Sequence, residues 1–174
     1  MKAIRIAAAI SLLAVFASCD SRLYYERNYV MADEEWLRDS VLEFSVPVTD
    51  TLQAYNILFN NRITGQYPYS NMYLFITIAA PDKSHQVDTL ECILADNHGK
   101  WLGSGFGNVW TNNVYYKKNV KFPKTGTYMF YVEQAMRVEK LPHVLSAGIR
   151  IEKNNYYQRS GKGKTCKIQG ERSV

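Results

Sequence analysis

A single thiol, Cys19, carries the clearest chemistry in this chain. It follows Phe16-Ala17-Ser18 and closes an apolar run from Ile6 to Phe16, which Lys2 and Arg5 precede. A basic start, a short apolar stretch and small residues before a cut form a secretory signal. A cysteine at the cut has the form of a bacterial lipobox, although Phe16 stands where Leu is usual. Its sulfur would take a diacylglycerol, and signal cleavage would make Cys19 the new N-terminus. The apolar run is too short to cross a hydrocarbon layer of about 30 Å as a helix, so the expected anchor is lipid. Each buried methylene contributes about 0.8 kcal/mol, so several acyl chains hold far more firmly than one.

The remaining reactive residue types form no recognisable catalytic set. Asp96, His98, His85, His143 and Glu91 lack the paired spacing of a metal site, and no nucleophile-elbow pattern occurs. The glycines of Asp96–Gly107 alternate, but strand-like residues follow them rather than the helix a phosphate loop needs. We therefore expect no catalytic residues, no metal and no cofactor. Asp96–Gly107 reads as a long shaped loop in which Trp101 and Phe106 anchor the chain by burial. Thirteen Tyr, three Trp and seven Phe suit core packing and recognition equally. Tyr67, Tyr69, Asn71, Asp96, Trp101 and Phe106 are the candidate partner-binding residues, because loops on a rigid scaffold carry recognition. Arg137 is expected to be structural, bridging a carboxylate or chain carbonyls. Cys92 lies in a strand-like run and Cys166 in a basic tail. An exported compartment permits a bridge between them, but two unpaired thiols are the expectation.

Those residues need elements to position them, and period-two patterns dominate after residue 40. Leu42, Phe44, Val46 and Val48 share one face, with Pro47 marking an edge strand or its end. Alternation recurs at 52–60, 72–78, 87–95, 113–122, 127–132 and 145–152, with turn residues such as Asn97-His98-Gly99 and Lys124-Thr125-Gly126 between runs. The expected fold is all-β, an antiparallel β-sandwich of about seven or eight strands. An N-terminal signal helix precedes it and a disordered basic tail follows. A brief helical turn capped by Asp33 is expected near 30–38, with Trp36 and Leu37 as anchors, and 133–141 is either a helix ended by Pro142 or an irregular crossover. The organisation is then 1–18 signal peptide, 19–40 lipidated Cys and a tether packed partly on the domain, 41–152 sandwich, and 153–174 tail.

Of the net charge of +5, Lys2 and Arg5 leave with the signal. The segment 152–174 carries six basic and two acidic residues, so the folded part is near neutral. A nucleic-acid partner is not expected. The tail is expected to be solvated, with anionic lipid the alternative contact.

Several segments resemble the gliding-motility lipoprotein GldH family of Bacteroidetes-type bacteria. They are Tyr67-Pro68-Tyr69-Ser70-Asn71-Met72-Tyr73-Leu74-Phe75, Asp88-Thr89-Leu90-Glu91, Leu94-Ala95-Asp96 with Gly99-Lys100-Trp101-Leu102-Gly103-Ser104-Gly105, Val120-Lys121-Phe122-Pro123 with Gly126-Thr127-Tyr128, and Glu133-Gln134-Ala135-Met136-Arg137. The similarity spans roughly 19–152. It implies an outer-membrane lipoprotein associated with gliding and type IX secretion, other envelope lipoproteins as partners, and no enzyme activity or cofactor. By the same resemblance, surface export is expected to need an acidic run after the lipidated Cys. Asp20-Ser21-Arg22 lacks one, so the domain is expected to face the periplasm. The alternative function is a glycan- or peptidoglycan-binding envelope lipoprotein, with Trp101, Trp110 or paired Tyr stacking on sugar rings.

Overall fold

The structure, a computed structural model, describes residues 22–154. The signal segment 1–18, Cys19 and Cys166 lie outside the described residues. Within them the chain forms β1 (Leu23–Val30), β2 (Glu35–Leu37), β3 (Leu42–Val48), β4 (Ala54–Thr64), β5 (Asn71–Ala79), β6 (His85–Ile93), β7 (Ser104–Phe106), β8 (Val109–Lys121), β9 (Gly126–Gln134), β10 (Lys140–Pro142) and β11 (Val144–Lys153). Three of these are three-residue strands, so the long ones number eight: the seven alternating runs and β1. A five-stranded sheet runs β1-β11-β4-β8-β7, a four-stranded sheet runs β3-β9-β5-β6, and β10 pairs with β2. All pairings are antiparallel.

The four-stranded sheet follows its sequence pattern closely. In β3 burial alternates residue by residue, with Leu42, Phe44, Val46 and Val48 inside. Phe44 opposes Phe130, and Leu42 opposes Val132, across the β3–β9 ladder. Met72, Leu74, Ile76 and Cys92 complete the inner face. Pro47 sits on β3 at the sheet edge, where its missing N–H removes no central ladder bond. The opposing layer buries Tyr55, Ile57, Phe59 and Ile63 of β4 with Ala147, Ile149 and Ile151 of β11. Burial raises the Cys92 thiol to about 12, which keeps it protonated and unreactive; it is a free, buried cysteine.

Two segments depart from the sequence expectation, and a third decides between its two alternatives. Residues 23–30, assigned to a tether, form edge strand β1 on β11. Its outward Glu26 and Asn28 disguise the strand, while Tyr24 and Tyr29 turn inward against the core. Asp33 caps no helix: Ala32–Glu34 is one 3-10 turn without a side-chain cap, and Asp33 itself has φ 54. Trp36 is the true anchor, fully buried and 6.4 Å from Phe59, whereas Leu37 is exposed. Of the helix and the irregular crossover, 133–141 is the crossover: it finishes β9, turns and forms β10 on the way to β11 of the other sheet. In addition, β4 extends past residue 60 because Asn61 is tolerated in the core by the Asn112 amide, which donates to its Oδ1 at 2.8 Å.

Polar contacts close the two open sides of the sandwich. On one side the hydroxyls of Tyr24 and Tyr29 in β1 donate to the carbonyls of Pro47 and Glu43 in β3. On the other, Asp88 of β6 accepts from the Tyr116 hydroxyl and pairs with Lys117 of β8 at 2.7 Å. Lys117 first, then Tyr116, hold the Asp88 carboxyl below its usual range. The carboxylate's contribution is therefore complete above about pH 4, the range of an unfolded Asp, and is lost as pH falls below it.

Two outcomes follow. Phe44→Ala should cost about 3–5 kcal/mol in urea unfolding; a loss under 1 kcal/mol would mean that Phe44 is not in the core. Asp88→Asn should cost about 1 kcal/mol at pH 7 and flatten the acid limb of the stability curve below about pH 4. An unchanged acid limb would show that the β6–β8 contact contributes nothing.

Candidate functional site

The loops at 65–70, 94–103, 107–108 and 135–139 cluster at the end of the sandwich where β4, β6 and β9 finish and β5 and β8 begin. The peptide nitrogens of Leu94 and Ala95 both donate to the Ser70 carbonyl, at 2.8 and 2.9 Å, which ties the first two loops together. Asp96 is spent on its own turn: its Oδ1 accepts from the backbone N–H groups of His98 and Lys100, both at 2.9 Å. Such an Asx turn is local architecture. Trp101 bridges back to Ala95 and lies 6.4 Å from the Tyr67 ring.

Tyr67 is core rather than surface. Only 4% of it is exposed, and its hydroxyl donates to the Asn71 carbonyl at 3.1 Å. Burial, then the neighbouring Tyr69, raises its phenol well above the ordinary range. Tyr69 packs edge-on at 5.8 Å and remains half-exposed. The Asn71 amide donates to Glu91 at 2.8 Å. Phe106 reverses its expected role: instead of pinning the loop it is 93% exposed at the β7–β8 turn. The pinning falls to Trp110, whose ring lies over Gly105, where a Cβ would come within 2.6 Å of it.

Gln134, which the sequence did not mark as a site residue, builds the neighbouring loop. Its side chain is buried, its Oε1 accepts from the Met136 N–H at 2.9 Å, and its Nε2 donates to the Val138 carbonyl at 2.9 Å. The Ala135 N–H donates to the Tyr73 carbonyl at 2.8 Å. A turn so held presents Arg137 at its tip, exposed and without a bonded partner among the described residues. Arg137 is thus not the structural arginine. That part belongs to Arg150, which reaches Glu26 and Glu152, each at 2.7 Å. A cleft of about 550 Å³ separates the turn from β5, lined by Tyr69, Asn71, Tyr73, Met136 and Arg137.

A second concavity, about 670 Å³, lies on the outer face of the five-stranded sheet. The registers align Asn28, Gly148, Asn60 and Asn113 in one row across β1, β11, β4 and β8. Gly148 keeps the floor open, since a Cβ there would sit 2.2 Å from Asn28 Oδ1. The Asn60 amide donates to Glu26 at 3.0 Å, while its buried Oδ1 has no protein partner. Among the described residues no three His, Cys, Asp or Glu side chains converge on one point. No helix among them is long and apolar enough to cross a membrane.

The sequence profile described as GldH lipoprotein matches residues 23–151. A relative named gliding motility lipoprotein GldH homolog, from Christiangramia forsetii, is 34% identical over 153 residues, covering 84% of this chain and 93% of its own. The gliding motility lipoprotein GldH of Flavobacterium johnsoniae is 35% identical over 145 residues, covering 79% and 89%. No solved structure matches. Sandwich and relatives together define a β-sandwich protein of the lipoprotein class. More narrowly, the chain belongs to the GldH lipoprotein family.

Gln134→Leu should cost about 1–3 kcal/mol, because two backbone groups lose their buried partner. Phe106→Ser should stay within about 0.5 kcal/mol of the parent. Urea unfolding of both separates a scaffold residue from a displayed one; equal losses would contradict that division.

Proposed function

We propose that this protein is a non-catalytic adaptor, anchored in the outer membrane by lipid on Cys19 and serving gliding motility and the type IX secretion machinery. The carrying observation is the polarity of the fold. The described chain starts at Arg22 and ends at Asn154 at one pole, where the Lys153 N–H donates to the Arg22 carbonyl at 2.7 Å. The loops bearing Tyr69, Trp101, Phe106 and Arg137 occupy the other pole, a strand of eight residues away, roughly 26 Å. Such a molecule is anchored at one end and displays loops at the other. Family membership and the names of the two relatives support the motility role. The absence of an acidic run after Cys19 supports a periplasm-facing domain, and other envelope lipoproteins are the partners the loop pole would meet.

A photo-cross-linking residue at position 106 or 137 should capture an envelope protein in cells, while one at position 45, on the sandwich flank, should not. Capture from position 45 alone would contradict the loop-pole assignment. Cys19→Ser should release the protein from membranes or leave an unprocessed precursor; unchanged fractionation and acyl labelling would refute the anchor.

A second reading, glycan binding, is favoured by one observation: the asparagine row whose Asn60 Oδ1 is buried without a partner. Amides that both donate and accept suit sugar hydroxyls. Trp101 is a poor platform, being half-buried beside Tyr67. Peptidoglycan fragments titrated against the parent and Asn60→Leu should show binding lost in the variant; no binding to either rejects this reading.

A further inference from the structure

The pole from which both chain ends leave is itself built to lie on a membrane. Three loops form it: 49–53, 80–84 and 122–125. In the first, the Asp50 carboxylate accepts from the backbone N–H groups of Leu52 and Gln53 at 2.8 and 3.3 Å. That turn projects Leu52 outward, 82% exposed. Gln53 Nε2 reaches the Asn154 carbonyl at 3.3 Å, so Leu52 stands beside the point where the C-terminal segment departs. Leu23, the first residue of β1, is also 40% exposed. An apolar side chain held out on a short, hydrogen-bonded loop gains nothing in water and gains on entering a headgroup–acyl boundary.

The charges of this pole agree. Arg22, Lys83 and Lys121 are exposed there, while Lys118, further along β8, lies over the Tyr115 ring at 4.4 Å. Lys153 lies over the Tyr24 ring at 5.8 Å. The acids are mostly engaged: Asp82 holds Lys124 at 2.6 Å, Asp88 holds Lys117, Glu152 holds Arg150, and Asp50 holds its own loop. Residues 155–174, which continue from this pole, add Arg159, Lys162, Lys164, Lys167 and Arg172 against Glu171. The opposite pole carries Asp33, Glu34, Glu35 and Asp39 within one short stretch, with Arg38 and Arg137 exposed there and Lys140 paired with Glu35 at 3.1 Å. Finally, Cys19 precedes Arg22 by only three residues in the sequence.

We infer that this pole seats on the anionic phospholipid headgroups of the membrane that holds the acyl chains, with Leu52 inserted at the boundary and the lysines over the phosphates. Lipid and basic surface then act as two signals. The seat fixes the sandwich upright and turns the opposite loops outward. This inference rests on the anchoring role of Cys19.

The test uses the full lipidated protein with Cys166→Ser and a single environment-sensitive fluorophore at Leu52→Cys or Phe106→Cys; buried Cys92 does not compete. In phosphatidylglycerol-containing vesicles, position 52 should show blue-shifted emission and protection from iodide quenching, and position 106 should show neither. The shift should weaken in pure phosphatidylcholine and at 1 M salt, where the screening length falls to about 3 Å. If the protein floats with vesicles but position 52 stays in water, or position 106 reports instead, the seat is overturned. A shift independent of lipid charge overturns the headgroup recognition. Failure to float at all overturns the Cys19 anchor, and the seat with it.

Discussion

Antiparallel pairing of β1 with β11 is the contact on which the orientation of the whole molecule depends. It runs from Leu23 opposite Glu152 to Val30 opposite Ser146. Because the two strands are antiparallel and nearly equal in length, the first and last described residues meet at one pole. Arg150 reinforces the pairing by reaching Glu26 across it and Glu152 along its own strand. An anchor attached ahead of β1 is thereby tied directly to a rigid sheet. The same geometry sends every loop between 65 and 70, 94 and 103, or 135 and 139 to the far pole.

That arrangement would be useless in a soft scaffold. Stiffness comes from the apolar layer between the sheets, where Phe44, Phe130, Phe59 and Trp36 are fully buried, each contributing about 1.5–3 kcal/mol by removal from water. Edge contacts add direction rather than bulk. Tyr24 and Tyr29 sew β1 to β3, and Tyr116 with Lys117 sews β8 to β6. Each joins polar groups that would otherwise end unpaired at a sheet margin. The loops are then free to spend their hydrogen bonds on shape, as Asp96 and Gln134 do, while Phe106 and Arg137 stand out.

How legible each part was in the sequence follows from burial. Strands β3, β5 and β9 face the core on one side and water on the other, so alternation reported both their existence and their faces. β4 is central and buried along most of its length, so alternation at 52–60 reported the strand but not its end, and Asn61 hides its continuation beside the Asn112 amide. β1 is an edge strand with charged outward residues and resembles a tether when read alone. The candidate site was half legible. Gly, Asp and Trp between 96 and 107 do mark a shaped loop, but residue type cannot say which aromatic is inside: Tyr67 is buried and Phe106 is not. Arg137 and Arg150 are equally plausible bridges until the fold puts acids beside only one of them. Gln134 gave no sequence signal beyond its neighbours Ala135, Met136 and Arg137.

The central claim is that the two poles face opposite ways, one onto lipid and one away. Per-residue NMR broadening of the lipidated protein in nanodiscs carrying a paramagnetic headgroup measures it most directly. Broadening should be strongest at 49–53, 80–84 and 122–125, fade along each long strand, and vanish at 97–107 and 135–139. A maximum at the loop pole, or along one flank of the sandwich, would contradict the account.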